Sequence, residues 1–308
     1  PNRPHQYEFS RLNLEYATTS KRKLKLLVEN NYVTDWNDPR MPTISGLRRR
    51  GYTPTSLRNF VDSAGVAKRD NIIDMSLLEH SIREDLNVKS PRVMAVLNPI
   101  KLTISNYPDG QEEFLEGEIN PEQLGLGTRK IPFSKNIFIE REDFRESANK
   151  KFFRLTLEKE VRLKNAYIIK GESVIKDKEG NITEIICTYD PESKSGSGSE
   201  ASMRKVKGTL HWVSQQHAFS AEVRLYDRLF QVSSPDQDKL VDFKSHLNSD
   251  SLSIITAFVE PSLKGAKDFE NYQFQRLGYF VVDPDSTPES LVFNKTVGLR
   301  DTWSKQNQ

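Results

Sequence analysis

One cysteine in 308 residues, Cys187, leaves no internal disulfide and no four-ligand zinc site for a fold to rest on. Its neighbours Ile185 and Ile186 predict a small buried hydrophobe in a strand rather than a reactive thiol. No apolar run approaches the roughly 18 residues that a membrane-spanning helix requires. Pro1-Asn2-Arg3-Pro4 opens the chain without a secretory leader, so a cytoplasmic setting with no membrane partner is expected. Charge of one sign is also lacking: 45 Lys and Arg against 43 Asp and Glu leave a net +2. That balance is too mild to signal a nucleic acid by itself, and only local clustering of basic residues would do so. The five histidines, at 5, 80, 211, 217 and 246, have no close spacing, and no glycine-rich phosphate loop occurs.

What is present describes a water-exposed globular chain long enough for two or three domains, with 36% hydrophobic and 29% charged residues. The alternation Gln6-Tyr7-Glu8-Phe9 predicts a strand almost at the start, which needs a sheet to join and suggests a larger parent protein. Helical patterns follow. Leu24, Leu27 and Val28 share a face over 21–30; Thr43 and Gly51 bracket a short helix ending in Arg48-Arg49-Arg50. Thr53 with Pro54 starts the next, which Gly65 stops. A further helix begins near Asp74, with Ser76 and Glu79 spaced as a capping box.

Past Ser90-Pro91 the period changes to two. Short β-branched and aromatic runs recur at 93–97, 137–139, 166–169, 182–188, 209–213, 222–225 and 277–282, with a hairpin turn at Lys178–Asn181. The Ser- and Gly-rich stretch 194–202 is expected to be a mobile surface loop. Many short strands over the last two-thirds of the chain predict antiparallel barrels.

The most specific motif is Phe9-Ser10-Arg11-Leu12-Asn13-Leu14, followed by Thr18-Thr19-Ser20-Lys21-Arg22. It resembles the second signature loop of class I aminoacyl-tRNA synthetases in the form that glutaminyl-tRNA synthetases carry. Thr19 stands where methionine is usual. The similarity continues through Asp35–Thr43, Leu47–Tyr52, Glu79–Asn87, Ser90–Leu97, Asp143–Arg145, Lys159–Leu163, Gly208–Val213, Glu222–Phe230 and Thr296–Trp303.

The resemblance implies a fold that is mainly β with a helical N-terminal subdomain. Two antiparallel anticodon-binding β-barrels would follow a remnant of the class I α/β catalytic domain. The implied division is 1–30 for the end of the catalytic domain and 31–90 for the helical subdomain. The proximal barrel would take 91–110 with 217–308, and the distal barrel 111–216.

It also implies roles. Ser20 and Lys21 would be catalytic, within an ATP and pyrophosphate loop of Thr19, Ser20, Lys21 and Arg22. A lysine on such a loop meets negative charge that grows on the leaving pyrophosphate. Arg92 would contact an anticodon base between the barrels. Lys151, Arg154, Arg162 and Lys164 would serve the distal barrel, and Gln273, Arg276 and Arg300 the proximal one. Single-stranded RNA is read by stacking and by hydrogen bonds to base edges, for which these residue types are suited. Lys151 and Phe153 replace residues usual in relatives, so that pocket differs here. Phe152 and Phe153 are expected as core and edge packing, with base stacking the alternative.

The implied activity is ATP-dependent ligation of glutamine to tRNA(Gln), with ATP and Mg²⁺ as substrates of the parent and no metal held by this chain. The His-x-Gly-His type motif is absent, so the chain alone is expected to bind tRNA without aminoacylating it. A monomer is expected, with no DNA partner. A barrel-bearing glutamyl-tRNA synthetase, a stand-alone RNA-binding protein and a protein-interaction module are the alternatives.

Overall fold

The computed structural model describes residues 3–300 apart from 124 and 150. Gln6–Phe9 forms no strand: Tyr7 and Phe9 are 83% and 72% exposed, and no neighbouring backbone pairs with them. The first strand is instead Leu12–Leu14, parallel to Asn71–Ile73. Alternation alone makes no strand where there is no edge to join.

Helices α1 (Lys21–Glu29), α2 (Ile44–Arg49), α3 (Pro54–Ala64) and α4 (Met75–Lys89) follow. The Thr43 and Thr53 side chains accept from the backbone amides of Gly46 and Ser56, as their N-cap positions require. Helix α4 departs from the capping box. Asp74 caps it through the Ser76 amide, and Glu79 turns away to Arg83 and Arg228. Leu14, Tyr52, Phe60, Leu78, Ile82 and Leu86 form a core that Tyr279 and Val297 of the β region complete.

Gly51, just past α2, shows why that seam is tight. Its φ is +93°, and a Cβ there would lie 2.8 Å from the Asn271 Oδ1 and against the Thr296 hydroxyl. Gly51→Ala is expected to cost about 2–4 kcal/mol, from left-handed strain and overpacking together. A urea titration reads this directly, and an unmoved midpoint would mean that the seam yields.

Two seven-stranded sheets follow. The proximal one runs in the order Arg92–Val93, Asn271–Phe274, Gly278–Val282, Val292–Val297, Phe219–Tyr226, Leu252–Val259, Ala95–Val96. The distal one runs Thr209–Leu210, Glu160–Leu163, Ile168–Lys176, Ile182–Tyr189, Pro99–Ile104, Asn136–Glu140, Val213–Ser214. Each begins and ends on one interrupted segment, 92–96 or 209–214, and so closes into a barrel without a free edge. Most pairings are antiparallel, and each barrel contains two parallel ones. Pro99–Ile104, placed in the proximal barrel by the expected boundary at 110, pairs instead with Asn136–Glu140 and Ile182–Tyr189 in the distal barrel. Cys187 lies in that barrel's core, where burial pushes its thiol well above the ordinary range.

The segment 92–96 serves both barrels at once. Because side chains alternate along a strand, Val93 and Ala95 enter the proximal core while Met94 and Val96 enter the distal one. Phe138 and Phe258 stack across the same seam at 4.5 Å between ring centroids. Beside them the buried Glu260 accepts from the Met94 amide at 2.8 Å and from Arg129 Nε and Nη2.

The helical region is tied down at both ends. Asn120, on the distal loop after Glu113–Glu118, donates to the carbonyls of Val88 (2.8 Å) and Ser90 (3.0 Å), capping the end of α4. Arg49, at the end of α2, forms a two-pronged ion pair with Asp283 of the proximal barrel at 2.8 and 2.9 Å.

Candidate nucleic-acid interface

The phosphate-loop candidates lie between Leu14 and α1. Ser20 is the N-cap residue of α1 in extended conformation, and its amide donates to the Thr18 hydroxyl at 3.3 Å. Thr18 is buried and donates to Asp236 Oδ2 at 2.5 Å, while Lys23 pairs with the other oxygen of Asp236. Asp236 comes from the proximal barrel's 231–242 connection, where Ser234-Pro235-Asp236 reads as an ordinary turn, so nothing in the sequence marks it. Thr19, Lys21 and Arg22 remain exposed, and neither Lys21 nor Arg22 enters an ion pair among the described residues. The loop is therefore held on its inner side with its cationic edge outward. Beside it a cleft of about 270 Å³ is lined by Arg11, Asn13, Thr19 and Asp236.

A second site forms where the barrels and α4 meet. Arg92 Nη2 donates to Asn87 Oδ1 at 3.2 Å. The Tyr279 hydroxyl donates to the same oxygen at 3.3 Å and accepts from Gln273 Nε2 at 2.9 Å. Arg92 and Gln273 thus belong to one network, fixed by the parallel pairing of residues 92–93 with 273–274. Gln273 is itself buried. Arg92, Lys164 and Gln275 line a cleft of about 280 Å³ together with Glu116 and Glu118. Two polar atoms here are buried without a partner, Arg92 Nε and Gln275 Oε1. Burial, with Arg92 and Arg129 nearby, lowers the Lys164 ammonium below its usual range. Gln275 was missed as a site residue, although it shares the strand face of Gln273 two positions earlier.

Arg154 and Arg276, expected to serve different barrels, share one buried carboxylate. Asp143 accepts from Arg276 Nη2 at 2.8 Å and lies 3.2 Å from Arg154 Nε. Arg276 Nη1 also donates to His211 Nδ1 at 2.9 Å, which leaves the His211 proton on Nε2, facing Glu140 at 3.3 Å. Arg276 sits at φ +67° in the turn after Phe274, a conformation the hairpin imposes on it.

Arg162 does not face outward. Its guanidinium donates to the carbonyls of Ser193 (3.0 Å) and Ser202 (2.8 Å) and to Ser195 Oγ at 3.2 Å. The loop 194–202, expected to be mobile, is pinned by these bonds and carries a short helix, Glu200–Met203.

Lys151 is exposed in a turn that Asn149 Oδ1 stabilises; Lys150 lies outside the described residues. The two phenylalanines differ from the expected packing. Phe152 is half-buried under Arg145, 4.8 Å from its centroid, whereas Phe153 is 53% exposed. Arg300 is exposed at the end of the described chain, and Trp303 lies beyond it.

Three family models match in succession along this chain. The catalytic domain of class I tRNA synthetases (E and Q) matches residues 1–88, and two anti-codon binding domain models of the same class match 90–190 and 209–283. Among curated proteins, the glutamine–tRNA ligase of Vibrio parahaemolyticus is 56% identical over 308 residues, covering 99% of this chain and 55% of the relative. That of Rhodopirellula baltica is 55% identical over 303 residues, covering 98% and 50%. That of Enterobacter sp. is 54% identical over 309 residues, covering 100% and 55%. The chain thus spans about half the length of the curated relatives it matches.

Proposed function

This chain belongs to the class I tRNA synthetases of the glutamate and glutamine branch, and from that membership we propose that it reads the anticodon of tRNA(Gln) for a glutamine–tRNA ligase. The observation that carries the reading is the junction cleft. There Arg92 and Gln275 line a space between two barrels, and each keeps one buried polar atom without a partner. A buried donor or acceptor left without a partner costs about 1–3 kcal/mol, which a base edge would recover if the Arg92 and Gln275 side chains shift to meet it in the cleft. Arg92 and Lys164 would supply charge to an unpaired base, while the Asn87–Tyr279–Gln273 network keeps Arg92 in register.

In the whole ligase, ATP would activate glutamine and the terminal adenosine of the tRNA would accept it. Lys21, exposed on the loop, would meet the pyrophosphate, with the Ser20 hydroxyl beside it. Among the described residues no three His, Cys, Asp or Glu side chains converge as a cation site would require. Mg²⁺ would enter with ATP, as part of the substrate of the whole ligase. No helix among the described residues is long and apolar enough to cross a membrane. A monomer working in the cytoplasm fits the reading, and gel filtration tests the first half of that.

The deciding experiment is binding of the chain to tRNA(Gln) and to a version with a swapped anticodon, titrated over salt. Preference for the native anticodon, with affinity falling as salt rises, supports the reading. Equal weak binding to both would sink it. Arg92→Ala is expected to weaken the native complex by about 1–3 kcal/mol and to narrow the gap between the two RNAs. The same two titrations measure it.

A further inference from the structure

His211 stands where the distal barrel's closing strand is interrupted, between Thr209–Leu210 and Val213–Ser214. It is 1% exposed, and both ring nitrogens are engaged. Nδ1 accepts from Arg276 Nη1 of the proximal barrel at 2.9 Å, and Nε2 faces Glu140 at 3.3 Å. Glu140 is itself fixed, because its two oxygens accept from the Leu97 amide at 2.7 Å and the Asn98 amide at 2.9 Å. A side chain filling this place must accept from a guanidinium at one end and donate to a carboxylate at the other. A neutral imidazole does both, whereas a carboxylate would oppose Glu140 and an ammonium would oppose Arg276.

The consequence falls on Arg276. A guanidinium carries five N–H donors in one plane. Asp143 takes one from Nη1 and one from Nη2, and His211 takes the second from Nη1. The two left over, on Nε and Nη2, lie side by side on one edge of the plane, and no acceptor among the described residues meets them. Arg276 keeps 30% of its side chain open to solvent. Asp143, which Arg154 shares at 3.2 Å, holds the guanidinium by charge. A second fixed acceptor on the flank is what stops the plane from rocking about that ion pair.

Resting on the anticodon-reading function above, we infer that His211 is a positioning residue: it sets the angle at which Arg276 offers its open two-donor edge to an anticodon base. His211 is buried and touches no RNA itself. A two-pronged arginine contact discriminates between bases because both prongs must align at once. Loss of the flank contact therefore costs selectivity as well as affinity.

The test uses the chain with tRNA(Gln) and its swapped-anticodon version, and keeps one end of the imidazole at a time. His211→Asn places an amide oxygen where Nδ1 accepts. His211→Gln reaches Glu140 with its amide nitrogen and leaves Arg276 without that acceptor. His211→Gln is expected to weaken the native complex on the order of tenfold, the worth of one such contact, and to shrink the preference over the swapped RNA similarly. His211→Asn should recover most of both. In an Arg276→Ala background, His211→Gln should cost nothing further, because the group through which it acts is gone. Nitrogen NMR shifts of the imidazole in the unaltered chain give a readout independent of any folding defect. Nδ1 should be an unprotonated acceptor both free and in the complex, and a proton on Nδ1 in the complex overturns the inference. Equal losses in the two amide variants, or an undiminished loss beside Arg276→Ala, would mean a packing role and overturn this inference alone. If the unaltered chain shows no anticodon preference, the underlying function falls and this inference falls with it.

Discussion

Lys21→Ala in the full-length ligase is expected to slow glutaminyl-adenylate formation by about 10²–10³-fold, the usual cost of deleting a preorganised charge that meets the transition state. The expectation rests on how the loop is built. Thr18 and Lys23 anchor it to Asp236, so Lys21 is presented outward with no carboxylate among the described residues to neutralise it. Since Lys21 is exposed, its removal leaves the packing untouched, and neither melting temperature nor tRNA affinity should move. Pyrophosphate exchange measures the chemical step apart from tRNA binding. A rate within a few fold of the unaltered enzyme would remove Lys21 from the chemistry. Lys21→Arg separates charge from reach: a guanidinium restores the charge but not the compact point contact.

Asp283→Ala is expected to produce the largest loss of stability of any single change at the surface between the helical region and the barrels. The Asp283 carboxylate is fully buried and accepts from Arg49 at two nitrogens, from Asn294 and from the Asp285 amide. Deleting it leaves the largely buried Arg49 guanidinium only the half-exposed Asp285 carboxylate and Asn37 Oδ1 as partners, for which about 3–5 kcal/mol is the upper range. Acid should reproduce part of the effect. Burial by itself would raise the Asp283 carboxyl, but Arg49, the Asp285 amide and Asn294 outweigh it and hold the group below its usual range. A carboxyl depressed in the folded state contributes stability in full above its unfolded value, near pH 3.9. That contribution is lost as pH falls through the folded value. Urea midpoints at pH 7 and in the acid range should therefore converge for the parent and Asp283→Ala as pH drops. Parallel curves would show that the ion pair contributes nothing to the linkage.

Legibility in the sequence followed the range of the interactions involved. Thr43, Thr53, Pro54 and Gly65 marked helix ends correctly because a cap is satisfied within four residues. Strand periods were visible for the same reason. Ser76 and Glu79 misled because Glu79 had a better partner, Arg228, 149 positions away. Strand partnership was equally hidden, so Pro99–Ile104 was assigned to the wrong side of a boundary that only long-range pairing draws. At the interface, a basic residue on a strand reads alike whether it faces RNA or protein. Arg162 proved to hold the carbonyls of Ser193 and Ser202, and Arg154 and Arg276 proved to share Asp143. Asp236 carried no local signal for its role, whereas Gln275 follows Gln273 by two positions and was legible from that spacing. Phe153, expected as packing, is exposed, because its surroundings depend on Gly208, far along the chain.

The interrupted strand 92–96 has one more bearing, on how the molecule comes apart. Four of its residues, 93–96, insert alternately into two cores, so the proximal barrel cannot lose its closing strand without withdrawing Met94 and Val96 from the distal core. Hydrogen exchange should register this as a single cooperative unit: amides in the Ile100–Ile104 and Val292–Val297 regions should share one opening free energy, despite lying in separate barrels. A molecular ruler made this way keeps the spacing between its two jaws fixed until the whole device melts.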